Sequence, residues 1–270
     1  MKKLFLCIIA MSVCASLFGQ RQDDFKWQSD NQDGVIIIDY IGSSITVAIP
    51  ETINEMPVIS IGDFAFQDKQ LTAILIPDSV ISIGNGAFKE NKLTNVTIPD
   101  SIISIGQDAF RNNRLNKIVI SNKITFIGHD AFRGNQLTGV TIPNGITTIE
   151  SGVFAENQLA TIFIPNSVVS IEELAFTDNC LREIFIPESV KNISSNAFTN
   201  NILTYINIGT NVSLHNDIFG TDYHFNEAYF NAGRLSGGYF KERESAVWQR
   251  TRHIEGGSGR LPGLDGGFFD

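Results

Sequence analysis

The sequence predicts a repeat solenoid, with short parallel strands stacked coil upon coil, turn or short-helix returns between them, and a cap at each end. Three observations predict it. Phe66, Phe88, Phe110, Phe132, Phe154, Phe176 and Phe198 sit 22 residues apart without a slip. Each lies at the end of the same order of apolar residues. From Phe88 onward, each is followed three residues later by an asparagine, from Asn91 to Asn201. A fixed period of about 20–50 residues marks units that bury their apolar faces only against their neighbours.

The units begin at Leu71, Leu93, Leu115, Leu137, Leu159, Leu181 and Leu203 and share the pattern L-T-x-I-x-I-P-x-S-V-x-x-I-G-x-x-A-F-x-x-N-x. In the unit from Leu71 to Lys92, the alternation Ile74–Ile76 predicts a short strand with one face inward. Pro77 ends it, because proline offers no N–H to a ladder. Val80 and Ile83 return to the core, and Gly84 with the small Ala87 suits a tight turn that lets Phe88 enter the interior. Asn91 turns the chain back towards Leu93. Some copies deviate: Ser121 and Gly209 stand in the proline position, and Glu150, Glu172 and Ser194 in that of the glycine. The last unit is one residue short before Phe219, as expected where an array ends.

This pattern resembles the leucine-rich repeats of the BspA-like class, the bacterial surface-protein type, over roughly residues 34–220. The entry segment resembles that family too, through Asp33-Gly34-Val35, Ile36–Ile38, Ile49-Pro50-Glu51-Thr52-Ile53-Asn54 and Val58–Gly62. It looks like the N-terminal cap and first, longer repeat of the class, with extra residues around Asn54–Pro57 for a loop to absorb. The expected division is a signal peptide at 1–19, the cap and first divergent repeat at 20–70, and seven leucine-rich repeats at 71–220. An aromatic, hairpin-like cap at 221–250 and a flexible glycine-rich tail at 251–270 follow.

The leader is read from Met1-Lys2-Lys3 and the apolar run Leu4 to Phe18, which is short for a membrane span. Cleavage is expected after Ala15 or Gly19. Cys14 raises lipid attachment, but Val13 before it is a poor match to the lipoprotein pattern. Removing Lys2 and Lys3 moves the formal charge from −9 to −11, a poor balance for nucleic acid or an anionic lipid surface. With Cys7 and Cys14 in the leader, Cys180 stands alone and no internal disulfide can form. The expected place is therefore outside the cytoplasm: extracellular, on the cell surface or in a periplasm.

No catalytic constellation is visible. His129, His215, His224 and His253 share no metal-ligand or triad spacing, and Cys180 has no motif around it. The glycines follow the repeat rather than a phosphate loop. No cofactor and no metal are expected. The row Asn91, Asn113, Asn135, Asn157, Asn179 and Asn201 reads as a ladder serving the coil turns. The row Asp78, Asp100, Asn144, Asn166 and Glu188 reads as solvated turn polarity, since it lacks the carboxylate density a calcium site needs.

The outward strand positions are the informative ones. The fifth residues of the units are Leu75, Thr97, Val119, Thr141, Phe163, Phe185 and Asn207. The third are Ala73, Asn95, Lys117, Gly139, Thr161, Glu183 and Tyr205. Phe163 and Phe185 should share an open face with Tyr205 close by, and exposed aromatics mark interaction sites. Leu75, Val119, Phe163, Phe185 and Tyr205 are therefore the candidate protein-binding residues.

The resemblance implies an exported, non-enzymatic protein that adheres to host extracellular-matrix or plasma proteins, or to bacterial surface proteins. The alternative reading is a carbohydrate or cell-wall binding module using the aromatic stretch Ala228–Phe230, Gly238–Phe240 and Trp248. An enzyme would need paired carboxylates such as Glu227, Glu242 and Glu244, and their spacing does not require that role.

Overall fold

Alternation decides the first side of each coil: Ile74 and Ile76 are buried while Ala73 is exposed and Leu75 half-buried, giving the strand Ala73–Leu75 one dry face. The computed structural model describes residues 20–30, 34–215 and 217–219 and the strands Gly237–Lys241 and Trp248–Arg250. They form a parallel β-solenoid of about eight turns, with one 3-10 turn, Gln22–Asp24, as the helix among the described residues. On the first side, Thr46–Ala48 pairs parallel with Ala73–Leu75, Asn95–Thr97 with Lys117–Val119, and Glu183–Ile186 with Tyr205–Ile208. Thr141 and Phe163 meet in an isolated parallel bridge.

The return is a second short strand rather than a helix. Ser82–Ile83, Ser104–Ile105 and Phe126–Ile127 stack in register behind Val35–Tyr40 and Met56–Ile61. The pairing resumes with Thr148–Ile149, Ser170–Ile171, Asn192–Ile193 and Ser213–Leu214. The break between Ile127 and Thr148 does not cut the solenoid, because the third side runs through it. There the N–H of each phenylalanine donates to the residue before the next one, as in Phe110 to Ala131 at 2.8 Å and Phe132 to Val153 at 3.0 Å.

The phenylalanine rings lie one above another in the interior. Centroids from Phe66 to Phe198 are 5.2–5.8 Å apart, with interplanar angles of 4–22°. Tyr40 extends the column at 5.5 Å from Phe66, and Phe219 ends it at 5.7 Å from Phe198. Each of these offset stacks adds about 0.5–1.5 kcal/mol to the burial of its rings. Tyr40 is 26 residues before Phe66, off the 22-residue period. A small hairpin accounts for the surplus: Thr52–Ile53 pairs antiparallel with Met56–Pro57, and Asn54 and Glu55 turn at φ 50° and 66°. Two successive positive φ values are the geometry of a tight type I′ turn.

The asparagine row, buried from Asn91 to Asn179 and half-buried at Asn201, pairs two coils at once. Asn135 accepts from the Leu115 N–H at 3.0 Å and donates to the carbonyls of Phe110 and Phe132, both at 3.0 Å. The same three bonds recur at Asn91, Asn113, Asn157 and Asn179. The turns therefore leave no buried main-chain group wanting at these positions.

At the N-terminal end, Phe25–Ser29 pairs antiparallel with Val35–Tyr40, and Phe25 packs against Tyr40 and Phe66. Asp39 joins this hairpin to the first coil through Lys26 at 3.0 Å and Lys69 at 2.9 Å. Burial pushes its carboxyl up, but the hydrogen bonds from Lys69 and Lys26 outweigh it and hold the group below its ordinary value.

The glycine of the repeat answers to a close approach. A Cβ on Gly106 would lie 2.6 Å from the backbone nitrogen of Asn85 and from the carbonyl carbon of Gly84. Gly106→Ala is expected to lower stability by about 1–3 kcal/mol, since two backbones must separate. A melting temperature equal to the parent's would show that the coils part freely there.

Candidate functional site

The strand face places four of the five candidate residues in a line of coils, with Leu75 at its N-terminal end. Val119 is 65% exposed, Phe163 69% and Phe185 54%, while Leu75 and Tyr205 are half-buried. Inward neighbours Ile118, Ile162, Ile184 and Ile206 are buried, so the outward direction of these side chains follows from strand alternation. Phe185 and Tyr205 stand on paired strands opposite Asn207 and Glu183, and their rings meet at 5.8 Å with a tilt of 56°. Phe163 lies one coil before Phe185. Val119 lies two coils before Phe163, and Leu75 two before Val119, each coil adding about 4.8 Å. The structure thus gathers Phe163, Phe185 and Tyr205 at one end and sets Leu75 apart.

Between Val119 and Phe163 the face is notched. An open depression of about 640 Å³ is lined by Lys117, Val119, Gly139, Thr141 and Phe163 among others. Its floor is low because Gly139 stands where other units carry a side chain, and the Cβ position there has no atom within 4 Å. That glycine is visible in the third-position row, but its meaning needs the flanking residues placed in space. A second exposed apolar run, Ile81, Ile103 and Phe126, lies on the side of the two-residue strands and was not anticipated from the sequence. Ile81 and Ile103 each follow a buried residue, Val80 and Ile102, at a position that periodicity alone assigns to a turn, while Phe126 stands one position later in its unit, opposite Ser104.

The polar groups do structural work. On the phenylalanine turns, Lys89, Asp108, Arg111, Asp130, Arg133 and Glu156 form a zigzag of ion pairs at 2.6–3.3 Å across four coils. The hydrogen bond to Glu156, with Asp130 beside it, raises the Arg133 guanidinium further above its already high value, so this cation stays charged at any working pH. Asp78, Asp100, Asn144, Asn166 and Glu188 are exposed, and Glu188 accepts from the Thr210 N–H at 2.9 Å. His129 reaches Glu150 at 3.6 Å, and Cys180 is an exposed free thiol. Among the described residues, no three His, Cys, Asp or Glu side chains gather as metal ligands.

At the C-terminal end, Gly237–Lys241 pairs antiparallel with Tyr205–Ile208, and Trp248–Arg250 with Gly237–Lys241. The hairpin thereby continues the sheet that carries Tyr205. Tyr239 faces Ile206 and is fully buried in the core. That ring is structural and offers no platform to a sugar. Phe225, Tyr229, Phe230, and the side chains of Phe240 and Trp248, lie outside the described residues. So do the leader, the tail and the paired-carboxylate candidates Glu227, Glu242 and Glu244.

Stacked two-strand coils with a phenylalanine column and an open strand face define a leucine-rich repeat solenoid. The chain belongs to the BspA type of that class: the family's repeat region matches in six copies over residues 59–180 and 104–226. A leucine-rich cell surface protein from Faecalibacterium prausnitzii is 32% identical with a TM-score of 0.64, over 70% of this chain and 54% of that one. The present chain thus spans about half the length of that protein. A leucine-rich repeat protein from Bacteroides ovatus is 21% identical, with a TM-score of 0.48, over 73% of this chain and 67% of that one. The leucine-rich repeat protein of T. pallidum is 22% identical, with a TM-score of 0.45, over 67% and 88%. A search of curated proteins found no match. The family is one of bacterial surface proteins, consistent with protein binding. No helix among the described residues is long and apolar enough to cross a membrane.

Proposed function

We infer that the protein is an exported, non-enzymatic adhesion module that binds a protein partner through its outward strand face. The observation that carries this reading is the exposed aromatic cluster of Phe163 and Phe185, with Tyr205 in ring contact with the latter. Aromatic side chains supply much apolar area for little conformational entropy, which is why they dominate binding hot spots. The rigid ladder beneath them fixes their spacing before a partner arrives, so association costs little ordering. Val119 and the notch extend the contact, and Leu75 marks its far end. The partners the family resemblance suggests are host extracellular-matrix or plasma proteins, or proteins on other bacterial cells. A fold does not choose among them.

The test is binding of the full exported chain to an array of matrix proteins, plasma proteins, bacterial surface proteins and glycans, with the double variant Phe163→Ser/Phe185→Ser alongside. Saturable protein binding is expected, weakened by about 2 kcal/mol or more in the variant, roughly thirtyfold in Kd. The variant's melting temperature is expected to stay near the parent's, because both rings are exposed. Equal binding by the two proteins would remove the aromatic cluster from the site. Binding to glycans alone would favour a carbohydrate module instead.

A further inference from the structure

We propose that the exported chain begins at Gln20, and that Gln20 closes to a pyroglutamate lactam which plugs the first strand of the solenoid. The inference rests on reading residues 1–19 as a leader cut after Gly19.

The first strand of the outward sheet, Thr46–Ala48, pairs on one side with Ala73–Leu75. Its other side is a sheet edge, where unpaired N–H and C=O groups invite a foreign strand. In this structure the side chain of Gln20 occupies that edge. Gln20 Nε2 donates to the Thr46 carbonyl at 2.7 Å, and the Ala48 N–H donates to Gln20 Oε1 at 2.8 Å. One primary amide thus stands in for one residue of a neighbouring strand. Gln22 makes a looser version, to the Thr52 carbonyl and from the Asn54 N–H, both at 3.4 Å. Gln20 is the tight contact, and it directly follows one of the two expected cleavage points.

Cleavage after Gly19 leaves a free α-amine on a residue whose own side chain carries an acyl group. The amine attacks Cδ, an N–Cδ bond closes a five-membered ring, the Cδ–Nε2 bond breaks, and the amide nitrogen departs as ammonia with a proton from the amine. Neither an oxidant nor a cofactor is consumed. The Ala48 N–H already donates to Oε1, the oxygen that gathers negative charge as the amine adds, which favours the step.

The product suits the same edge. A lactam holds its C=O and its N–H on one side of the ring, as the primary amide holds the two groups used here. The ring nitrogen replaces Nε2 as donor to Thr46, and the carbonyl still accepts from Ala48. Closure also removes an ammonium charge at a half-buried position, where desolvation would disfavour it. The exported end then carries no amine for an aminopeptidase to grip.

The deciding measurement is the N-terminal peptide mass of the protein isolated from the cells that make it, before and after treatment with pyroglutamyl aminopeptidase. The expected peptide begins at residue 20, is lighter than its glutamine form by one ammonia, and loses the ring to the enzyme. A peptide starting at Gln20 with a free amine would overturn cyclisation and leave the leader reading standing. A start at Ser16 or Met1 would overturn both. Docking is read separately, from hydrogen exchange at the Ala48 amide in the isolated protein and in Gln20→Ala. Exchange is expected to be about three- to tenfold faster in the variant, the worth of one net hydrogen bond. Equal rates would show that the ring does not plug the edge.

Discussion

Replacing Phe132 by aspartate is expected to unfold the central coils. The ring is fully buried and stacked between Phe110 at 5.5 Å and Phe154 at 5.7 Å, so no water reaches a carboxylate placed there. Losing a buried phenylalanine costs about 3–5 kcal/mol before the charge is considered. An unpaired buried charge adds several more, and the total approaches the ~5–15 kcal/mol that holds a domain together. Circular dichroism on heating should show loss of the cooperative transition at 25 °C or a transition far below the parent's. A transition that does not move would refute the placement of Phe132 in the column. Stability in such arrays is a sum over coils and their junctions, so the outermost coils can outlast the centre.

Asn135→Leu is expected to cost about 1–4 kcal/mol, although leucine shares the branched shape and the number of side-chain heavy atoms of asparagine. The Leu115 N–H loses its partner, while the carbonyls of Phe110 and Phe132 each lose one of two donors and keep Asn113 and Asn157. The orphaned N–H costs about 1–3 kcal/mol and each lost second bond about 0.5–1.5 kcal/mol, and hydrophobic gain offsets part of the sum. Asn135→Asp separates hydrogen bonding from shape. An ionised carboxylate there would face two carbonyl oxygens, so its folded-state pKa must rise above the unfolded value. The variant should therefore be least stable at neutral pH and recover as pH falls through that raised pKa, when the carboxyl can donate again. A chemical denaturation series at neutral and acidic pH checks both variants. A leucine variant as stable as the parent would mean that water serves these turns equally well.

Much of this fold is written in the sequence because every coil repeats the same physical problem. Phe66 to Phe198 and Asn91 to Asn201 carry it, since an interior one ring wide and a turn with orphaned amides admit few other residues. Alternation around Ile74 and Ile76 gives the direction of Phe163 and Phe185, and the adjacency of Phe185 and Tyr205 follows from the repeat. Ser82–Ile83 is different. A strand of two residues has no alternation to display, and it exists because neighbouring coils pair with it. Tyr40 escapes the period because the hairpin at Asn54 and Glu55 inserts extra chain between it and Phe66. Gly139 is plain in the sequence, yet the hollow it makes depends on Val119 and Phe163 standing on either side. The Gln20 contact joins residues 26 and 28 positions apart, a distance no local pattern spans.

The asparagine and phenylalanine columns make each coil chemically interchangeable with the next. A unit's asparagine donates to the phenylalanine carbonyl of its predecessor and its ring stacks on the predecessor's, and it receives the same two contacts from its successor. Duplicating or deleting a whole unit of 22 residues within the regular array would therefore rejoin matched surfaces. Such a change would translate the aromatic cluster along the axis by about 4.8 Å without altering its shape. Array length then becomes a quantity that recombination can adjust independently of the shape of the outward face, letting a lineage tune reach without rebuilding that face.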